Sequence, residues 1–451
     1  MLPAAFLDIM RRQLGADLDR FLAAMDQPPK RGLHVNLAKE GAFPSEDLAP
    51  HLSPLPFAHD GYAFLSDETV GAHPLHHAGA FYMQEPSAML PVCASSVREG
   101  MRVLDVCAAP GGKTTQLANR IGRGGLLVSN EISSSRRQIL IGNIERMGLS
   151  NICVTGTDAA GLAEAFPAFF DLVLVDAPCS GEGMFRKDPA AADEWTAESP
   201  HACAVRQREI LSYAARTLRP GGELIYSTCT FSVEENEQTV MDFLARHPDF
   251  VLSAVPASVE AVTSPGIPLA DAPVDLSLCR RAYPHGQVGE GQFLARLVHT
   301  GTPELHTESV SYGAPLPKAD AAVVDAFLKD VLSSVDGLPP ATLFRGGVTL
   351  APSALPSASF AYARGVRVGE LRKGRVVPHH QFFSAYGSLF KRKIDFSLQN
   401  PHLFSYLRGE TFPCDLPDGW AVVTVCGYPL GGIKVTGGIA KNHYPAGLRS
   451  R

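Results

Sequence analysis

After Met101 the chain alternates between short apolar runs and segments with a helical pattern. The runs predict strands at Arg102–Val106, Leu126–Ser129, Ile152–Thr155, Asp171–Val175 and Glu223–Ser227. Short buried strands that alternate with helices are typical of a parallel, doubly wound sheet. The predicted fold class is therefore α/β with a Rossmann-like domain. Such sheets bind ligands at the carboxyl ends of their strands, so reactive residues directly after these strands are candidates for a site.

The sequence on either side of this alternation is less regular and predicts further domains. Residues 1–92 read as a small α+β lobe, and residues 93–299 contain the alternating region. The polar residues 300–318 predict a linker, after which residues 319–451 predict an α+β region of one or two small domains. A chain of 451 residues is long enough for two to four cores of ordinary size.

Local signals place several helices. An amphipathic pattern predicts a helix over Pro3–Met25. Ser199 followed by Pro200 fits a helix N-cap with proline at the first helical position. Ser232 and Glu235 have the spacing of a capping box, which predicts that another helix starts there.

Composition narrows the class of protein. Hydrophobic residues make up 45% of the chain and charged residues 19%, a balance that excludes a largely disordered protein. No stretch approaches the roughly 20 apolar residues of a membrane span, and the N-terminus lacks the order of a signal peptide. We expect a cytoplasmic protein that acts as a monomer and has no membrane partner.

Charge is distributed unevenly along the chain. The formal net charge is −6, but residues 364–451 contain 13 Lys or Arg and 5 Asp or Glu, which leaves −14 for the rest. A basic segment is the electrostatic footprint expected of a protein that binds a phosphate backbone. The alternative is a solvated surface with no special role.

The first predicted strand runs into a tight turn, Asp105–Thr114, that opens a helix. A dinucleotide-binding turn would need Gly-x-Gly-x-x-Gly, which is absent. A phosphate-binding loop fits in part, because Gly112, Lys113 and Thr114 match its end while Cys107 occupies its first glycine position. The run that ends in Asp176 also resembles the strand and acid that hold magnesium in nucleoside triphosphatases. A triphosphatase therefore stays open as an alternative.

Acids after the next two strands favour a different ligand. Glu131 lies about twenty residues beyond the turn, where an acid accepts hydrogen bonds from ribose hydroxyls. Asp158 follows the third strand and can accept a hydrogen bond from an adenine amino group. A nucleoside without phosphates uses both acids, and S-adenosylmethionine is such a cofactor. The alternative for each acid alone is an ordinary loop carboxylate.

Two cysteines follow the fourth and fifth strands. Cys179 lies in the segment that begins with Asp176, and Cys229 follows Ser227–Thr228. Neighbouring strands are about 4.8 Å apart, so both thiols can face one substrate. Cys229 also lies three residues before the proposed cap Ser232, where a helix dipole would favour the nucleophilic thiolate.

The remaining cysteines predict little chemistry. Most free cysteines are small core residues, and that is the expectation for Cys93, Cys153, Cys279, Cys414 and Cys426. Cys107 is expected to line the cofactor turn. A metal site formed by Cys107, Cys179 and Cys229 lacks local ligand spacing, so no metal is expected.

Three motifs together carry a resemblance to a known family. DVCAAPGGKT at Asp105–Thr114, DAPCSGEGMFR at Asp176–Arg186 and STCTFSVEENE at Ser227–Glu237 closely resemble the Nol/Nop/Sun family of RNA (cytosine-5) methyltransferases. GAHPLHHAGAFYMQEPSAM at Gly71–Met89 is similar to the lead-in to that family's catalytic domain. GVRVGELRK and GYPLGGIKVTGGIAKNHYPAGLR, which begin at Gly365 and Gly427, resemble its ribosomal small subunit methyltransferase F branch.

The resemblance implies a mechanism and a set of residues. The nucleophile that attacks carbon 6 of cytosine would be Cys229, Cys179 would assist product release, and Asp176 would hydrogen-bond the ring. Residues implied to bind S-adenosylmethionine are Cys107, Ala108, Ala109, Pro110, Gly111, Gly112, Lys113, Glu131, Asp158 and Asp176.

The implied partner is RNA, in particular 16S rRNA of the small ribosomal subunit, with transfer RNA as an alternative substrate. A target cytosine must be unstacked or flipped out, which suits RNA loops. An RNA-binding assembly factor without catalysis is a second hypothesis. The RNA-binding residues expected in a PUA-like C-terminal region are Arg364, Arg367, Arg372, Lys373, Lys391, Arg392, Lys393 and Lys441.

Overall fold

A computed structural model describes the chain except residues 1, 40, 42, 66–69, 271, 287, 303–313, 352–359 and 451. Within the described part of the chain, every helix is too short or too polar to cross a bilayer. Three regions follow one another along the chain: an N-terminal lobe, a central domain and a C-terminal region.

In its described residues, the N-terminal lobe has a four-stranded antiparallel sheet, in the order β2-β3-β1-β4, and four short helices. The elements are α1 (Ala4–Leu14), α2 (Leu18–Met25), β1 (Gly32–Val35), β2 (Leu52–Leu55), β3 (Ala58–Phe64), α3 (Pro74–His77), β4 (Phe81–Met83) and α4 (Pro86–Cys93). The single helix predicted over Pro3–Met25 is wrong. Gly15 interrupts it with a φ of 50°, a conformation that glycine adopts without strain, and a short 3₁₀ turn leads into α2.

The central domain contains the predicted parallel sheet. Its elements are β5 (Arg102–Asp105), α5 (Gly112–Ile121), β6 (Leu126–Asn130), α6 (Ser134–Met147), β7 (Ile152–Thr155), α7 (Ala159–Ala165), β8 (Phe170–Asp176), α8 (Pro189–Glu194), α9 (Ser199–Thr217), β9 (Leu218–Thr228), α10 (Glu237–Arg246), β10 (Phe250–Ser253), α11 (Ala257–Glu260), β11 (Ser264–Pro265), β12 (Arg280–Ala282) and β13 (Gln292–His299). All five predicted strands are present, and β9 begins earlier than predicted.

The strand order places the ends of several strands together. The central order is β9-β8-β5-β6-β7, and all four of these pairings are parallel. The chain moves outward from β5 to β7 and then returns to the other side of β5 at β8. The turn after β5 and the loop after β8 therefore border the crevice where doubly wound sheets bind ligands.

Two helix starts differ from the prediction. α9 begins at Ser199 itself, whose Oγ accepts a hydrogen bond from the Thr196 backbone N–H instead of capping the helix. Ser232 Oγ accepts from the Glu235 N–H at 3.3 Å, as half of a capping box would. The Glu235 carboxylate, however, points away to Ser180, and regular helix α10 begins only at Glu237.

The described residues of the C-terminal region form two five-stranded sheets, β14-β15-β16-β18-β19 and β20-β22-β23-β24-β21. The elements are β14 (Ala314–Pro315), α12 (Lys318–Val331), β15 (Ala341–Phe344), β16 (Gly347–Leu350), β17 (Ala361–Arg364), β18 (Val366–Arg372), β19 (Arg375–Pro378), α13 (His380–Tyr386), β20 (Lys393–Phe396), α14 (Pro401–Arg408), β21 (Phe412–Pro413), β22 (Gly419–Val425), β23 (Tyr428–Thr436) and β24 (Ile439–Asn442).

The regions are joined more closely than the predicted division into separate domains suggests. β17 leaves the C-terminal region and pairs antiparallel with β7, so it forms an edge of the central sheet. Within the predicted linker, residues 303–313 lie outside the described residues, while β14 and the start of α12 lie in its final part. The domain boundaries themselves stay a prediction.

The N-terminal lobe and the last sheet share one hydrophobic core. Leu33 and Phe81 of the lobe pack in the same cluster as Tyr406 and Val423. Lys39 ties this core to the central domain, because its Nζ donates to the backbone carbonyls of residues 78, 146 and 429. The lobe is thereby fixed against both other regions.

Candidate active site

The turn after β5 is built around Gly111 and Lys113. Gly111 has a φ of 116°, which a side chain would strain, and it is the N-cap of α5. Lys113 in the first turn of α5 donates from Nζ to Asp176 Oδ2 at 2.8 Å. Asp176 also accepts from Ser227 Oγ at 2.7 Å, so one carboxylate joins the turn to the ends of β8 and β9.

Two adjoining clefts open at these strand ends. The first has a volume of about 380 Å³ and is lined by Glu131, Asp158 and Pro178 among others. The second has a volume of about 210 Å³ and contains Lys113 and Asp176. Cys107 lines both clefts, so the predicted cofactor turn lies between them.

The two acids of the first cleft are held by local contacts. Glu131 is buried, and its Oε1 accepts from the Ser133 N–H at 2.8 Å while Arg136 lies 3.2 Å from Oε2. Asp158 is exposed and caps α7 through a hydrogen bond from the Gly161 N–H at 2.8 Å. Both carboxylates therefore have a structural partner in addition to a position on the cleft wall.

The thiols of Cys179 and Cys229 lie side by side, with their Sγ atoms 3.3 Å apart. This distance fits a hydrogen-bonded pair, since a disulfide bond measures about 2.05 Å. The hydrogen bond with Cys229 and burial together raise the pKa of the Cys179 thiol well above its usual value. Burial and the neighbouring sulfur thus favour the protonated form of Cys179, whose S–H can donate to Cys229. The predicted cap at Ser232 is wrong, because α10 begins only at Glu237 and its N-cap is Asn236. Asn236 is hydrogen-bonded to Thr228 and Thr230, the residues on either side of Cys229.

A buried carboxylate fixes the loop that carries Cys179. Glu235 accepts hydrogen bonds from the Ser180 backbone N–H at 3.0 Å and from Ser180 Oγ at 2.5 Å. Gln207 on α9 donates to the same carboxylate at 2.8 Å and to the Pro178 carbonyl at 2.9 Å. The residues on both sides of Cys179 are thus held from α9 and from the turn before α10.

A second buried carboxylate ties this loop to the segment after β9. Glu182 Oε2 accepts from Thr230 Oγ1 at 2.8 Å and from the Phe231 N–H at 2.9 Å. The Gly183 N–H donates to the Cys229 carbonyl at 2.7 Å. These bonds cross-link the two cysteine-bearing segments, which fixes the separation of the thiols.

Family models match residues in each of the three regions. Residues 93–298 match the family model of 16S rRNA methyltransferase RsmB/F, residues 2–86 match the N-terminal domain of 16S rRNA methyltransferase RsmF, and residues 393–450 match the methyltransferase RsmF PUA domain. Ribosomal RNA small subunit methyltransferase F from Cronobacter sakazakii is 36% identical, over 99% of this chain and 96% of its own length. Its counterpart from Klebsiella pneumoniae is 35% identical over the same shares of the two chains. The chain belongs to the RsmB/F family of 16S rRNA methyltransferases.

Solved structures agree with this membership. A methyltransferase homologue from Pyrococcus horikoshii is 26% identical, with a TM-score of 0.54 over 66% of this chain and 100% of its own. NSun6 from Pyrococcus horikoshii with SFG, an S-adenosylmethionine analogue, has a TM-score of 0.56 over 66% of this chain and 99% of its own. It is 21% identical and shares the fold. The resemblance to RNA methyltransferases is confirmed, and the triphosphatase alternative has no support.

As an RsmB/F methyltransferase, the protein uses S-adenosylmethionine, and the clefts fit this cofactor. Asp105 is buried in the second cleft, where Thr114 donates to its Oδ2 at 2.6 Å. Its Oδ1 has no hydrogen-bond partner among the described side chains, and burial raises the pKa of Asp105 to about 7. A buried carboxylate oxygen without a side-chain partner suits the ammonium group of the cofactor.

The predicted cofactor residues are divided between the two clefts. Ala108, Ala109, Pro110, Gly112 and Lys113 line the second cleft together with Asp176. Glu131 and Asp158 line the first. Gly111 is absent from the described lining of both clefts and shapes the turn as the N-cap of α5. The cofactor role of each residue remains a prediction.

Sequence reasoning missed several residues of the cleft walls. Tyr82, Gln84 and Glu85 reach the second cleft from the N-terminal lobe, and Arg206 and Tyr213 reach the first from α9. The motif Gly71–Met89 was the available signal for the lobe residues. Within the described part of the chain, no three His, Cys, Asp or Glu side chains are grouped so that they could hold a metal ion.

The basic residues predicted to bind RNA differ in exposure and in their partners. Arg364 is buried on β17, so its inclusion among the phosphate contacts is corrected: the pairing of β17 with β7 takes it into the protein. Arg367 and Arg372 pair with Glu370, and Arg392 pairs with Asp330 at 2.8 Å. The side chains exposed to solvent are those of Arg372, Lys373, Lys391, Lys393 and Lys441.

Proposed function

We propose that this protein methylates carbon 5 of cytosine in 16S rRNA through a covalent adduct with Cys229. The observation that carries this proposal is the pair of thiols 3.3 Å apart beside the cofactor clefts. Asp176 lies next to them and lines the second cleft, with its side chain 30% exposed. The family membership and the PUA domain support an RNA substrate, and the names of the relatives support 16S rRNA.

The first step forms a bond between Cys229 and the base. The Cys229 thiolate adds to carbon 6 of cytosine, a sulfur–carbon bond forms, and the electron pair of the C5–C6 double bond moves towards carbon 5. Asp176 hydrogen-bonds the ring and is itself held by Lys113 and Ser227. Because these partners are fixed before the substrate binds, the carboxylate needs little reorganisation as charge develops.

S-Adenosylmethionine supplies a methyl group with electrophilic character, which carbon 5 accepts. The adduct must then lose the proton at carbon 5. That electron pair re-forms the C5–C6 double bond while the bond from carbon 6 to Cys229 breaks, which restores the Cys229 thiolate and releases 5-methylcytosine.

Cys179 is suited to assist this release. Its pKa is high in the free enzyme because of the hydrogen bond with Cys229 and burial. Once the Cys229 sulfur is bound to the base, that hydrogen bond to a thiolate is lost, so Cys179 can release its proton to water. The resulting Cys179 thiolate accepts the carbon 5 proton, and both thiols return to their initial states.

A methyl-transfer assay tests the proposal. The purified protein is incubated with labelled S-adenosylmethionine and with unmodified 16S rRNA, small ribosomal subunits or transfer RNA, and the modified base is mapped by bisulfite sequencing. Cys229→Ala is expected to abolish 5-methylcytosine, whereas Cys426→Ala, at an exposed thiol in the C-terminal region, keeps it. Methylation by Cys229→Ala would contradict a covalent adduct at Cys229. Methylation of transfer RNA alone would contradict 16S rRNA as the substrate.

A further inference from the structure

A groove in the C-terminal region lies between the two small sheets. Its walls come from α12, from the hairpin of β18 and β19, and from the facing strands β22 and β23. Its volume is about 790 Å³, larger than either cleft at the active site. None of its lining residues lines those clefts, so it is a separate site on the protein.

The groove is lined by cations on opposite walls. Arg372, Lys373 and Arg375 surround the tight turn of the β18–β19 hairpin, and Lys434 on β23 lies on the other wall. Among the described residues, the lining contains no Asp or Glu. Arg372 pairs with Glu370 outside the groove, but Lys373, Arg375 and Lys434 have no ion pair with any described carboxylate.

The floor of the groove offers aromatic and apolar surface between these cations. Trp420 and Phe327 line it, and Val377 is 39% exposed there. Lys434 Nζ lies 5.4 Å from the Trp420 ring centroid. The His443 ring packs edge-on against Trp420, with a centroid separation of 4.5 Å, which fixes the indole in place.

We propose that this groove binds a single-stranded segment of the RNA substrate, an inference that rests on the proposed function. Sites for single strands combine cations along the backbone with aromatic rings on which bases stack. An RNA duplex hides its base faces and would leave Trp420 and Val377 without a partner. The excess of positive charge disfavours a basic peptide or a second copy of this groove. The groove thus holds flanking RNA while the catalytic domain acts on the cytosine.

A binding titration with the full-length protein tests this inference. The probe is a labelled 12-nucleotide RNA without cytosine, so that the catalytic thiol has no target base. Removing two phosphate contacts makes the plot of the logarithm of the association constant against the logarithm of the salt concentration less steep by about 1.4. This change corresponds to about 25-fold weaker binding at 0.1 M salt. We expect that loss for the double variant Lys373→Ala/Arg375→Ala. Lys318→Ala/Lys329→Ala removes two exposed cations of α12 outside the groove and is the matched control, with unchanged binding expected.

Tryptophan fluorescence gives a second readout that does not depend on charge. The chain has two tryptophans, and Trp195 is buried against Phe6 and Phe185. A base that stacks on Trp420 should quench the emission, and the quenching should vanish in Trp420→Phe. Equal loss of affinity in both double variants, or quenching that persists in Trp420→Phe, would overturn the inference. Stronger binding of a duplex of the same sequence, or self-association that depends on Lys373 and Arg375, would overturn it too.

The outcomes separate this site from the proposed activity. Cys229→Ala should bind the cytosine-free RNA as wild type does, even though it makes no 5-methylcytosine. Lys373→Ala/Arg375→Ala should methylate saturating RNA at the wild-type rate with a raised KM. If the protein methylates no RNA at all but the groove variants still lose binding, the proposed function is wrong and the groove is still an RNA-binding site.

Discussion

Glu182 should make the protein less stable as the pH rises, and Glu182→Gln should remove that effect. The side chain is 1% exposed, and its Oε2 accepts from Thr230 Oγ1 and the Phe231 N–H. Its Oε1 is buried without a partner among the described residues. Burial raises the pKa of Glu182 to about 7, and the nearby charge of Glu235 adds to the shift. Glutamine keeps the acceptor oxygen for both donors and carries no charge.

The magnitude follows from the pKa values. The pKa of Glu182 rises from 4.5 in the unfolded chain to about 7 in the folded one. Between these values the folded state binds more protons than the unfolded state, so the free energy of unfolding falls as the pH rises. Each pH unit between the two pKa values lowers the free energy of unfolding by about 1.4 kcal/mol. The loss is about 3 kcal/mol over the whole range. It is about 2 kcal/mol between pH 5.5 and pH 8, because little further loss occurs above the folded-state pKa.

Urea unfolding at pH 5.5, 7 and 8 measures this effect. The stability of Glu182→Gln relative to wild type should rise by about 2 kcal/mol from pH 5.5 to pH 8, because the other titrating groups cancel in the difference. Glu164→Gln, at an exposed position on α7, is the control and should show a constant difference. A constant difference for Glu182→Gln as well would refute the reasoning.

Two further predictions concern cofactor binding and the buried ion pair between Glu237 and Arg281. Asp105→Asn should weaken the binding of S-adenosylhomocysteine about 10- to 150-fold in a calorimetric titration, because it removes a hydrogen bond between two charged groups. Unchanged affinity would contradict the placement of the cofactor ammonium beside Asp105. Glu237→Ala should lower the free energy of unfolding by about 3–5 kcal/mol, because Arg281 is 2% exposed and would keep a buried charge without its partner. A loss below about 1 kcal/mol in urea unfolding would show that Arg281 finds another partner.

The central sheet was predictable because its signal is local. The strands β5 to β8 are short apolar runs with polar residues at their ends, and a parallel strand buried on both faces needs that pattern. The same signal identified the reactive residues, since Cys179 and Cys229 follow adjacent strands whose register pairs Asp176 with Ser227. Their separation depends on the register and the cross-linking carboxylates, which no local pattern contains.

Features that depend on distant contacts were not predictable. β17 pairs with β7, about two hundred residues earlier in the chain, and this pairing buries Arg364. Glu235 matches a capping box in sequence, but a stronger set of donors at Ser180 and Gln207 takes its carboxylate. The lobe residues of the second cleft reach it because the N-terminal lobe packs directly on the central domain, where Tyr82 lies in one hydrophobic cluster with Leu117 and Leu140.

The central claim is that Cys229 forms the bond to cytosine and that Cys179 serves release. The most direct measurement is mass spectrometry of the peptide that becomes linked to RNA. The Cys179→Ala variant is incubated with S-adenosylmethionine and 16S rRNA, and the denatured protein and RNA are then digested. We expect a methylated cytidine on the peptide that contains Cys229, and no such adduct in Cys179→Ala/Cys229→Ala. An adduct on another residue, or rapid turnover by Cys179→Ala without any adduct, would contradict the account.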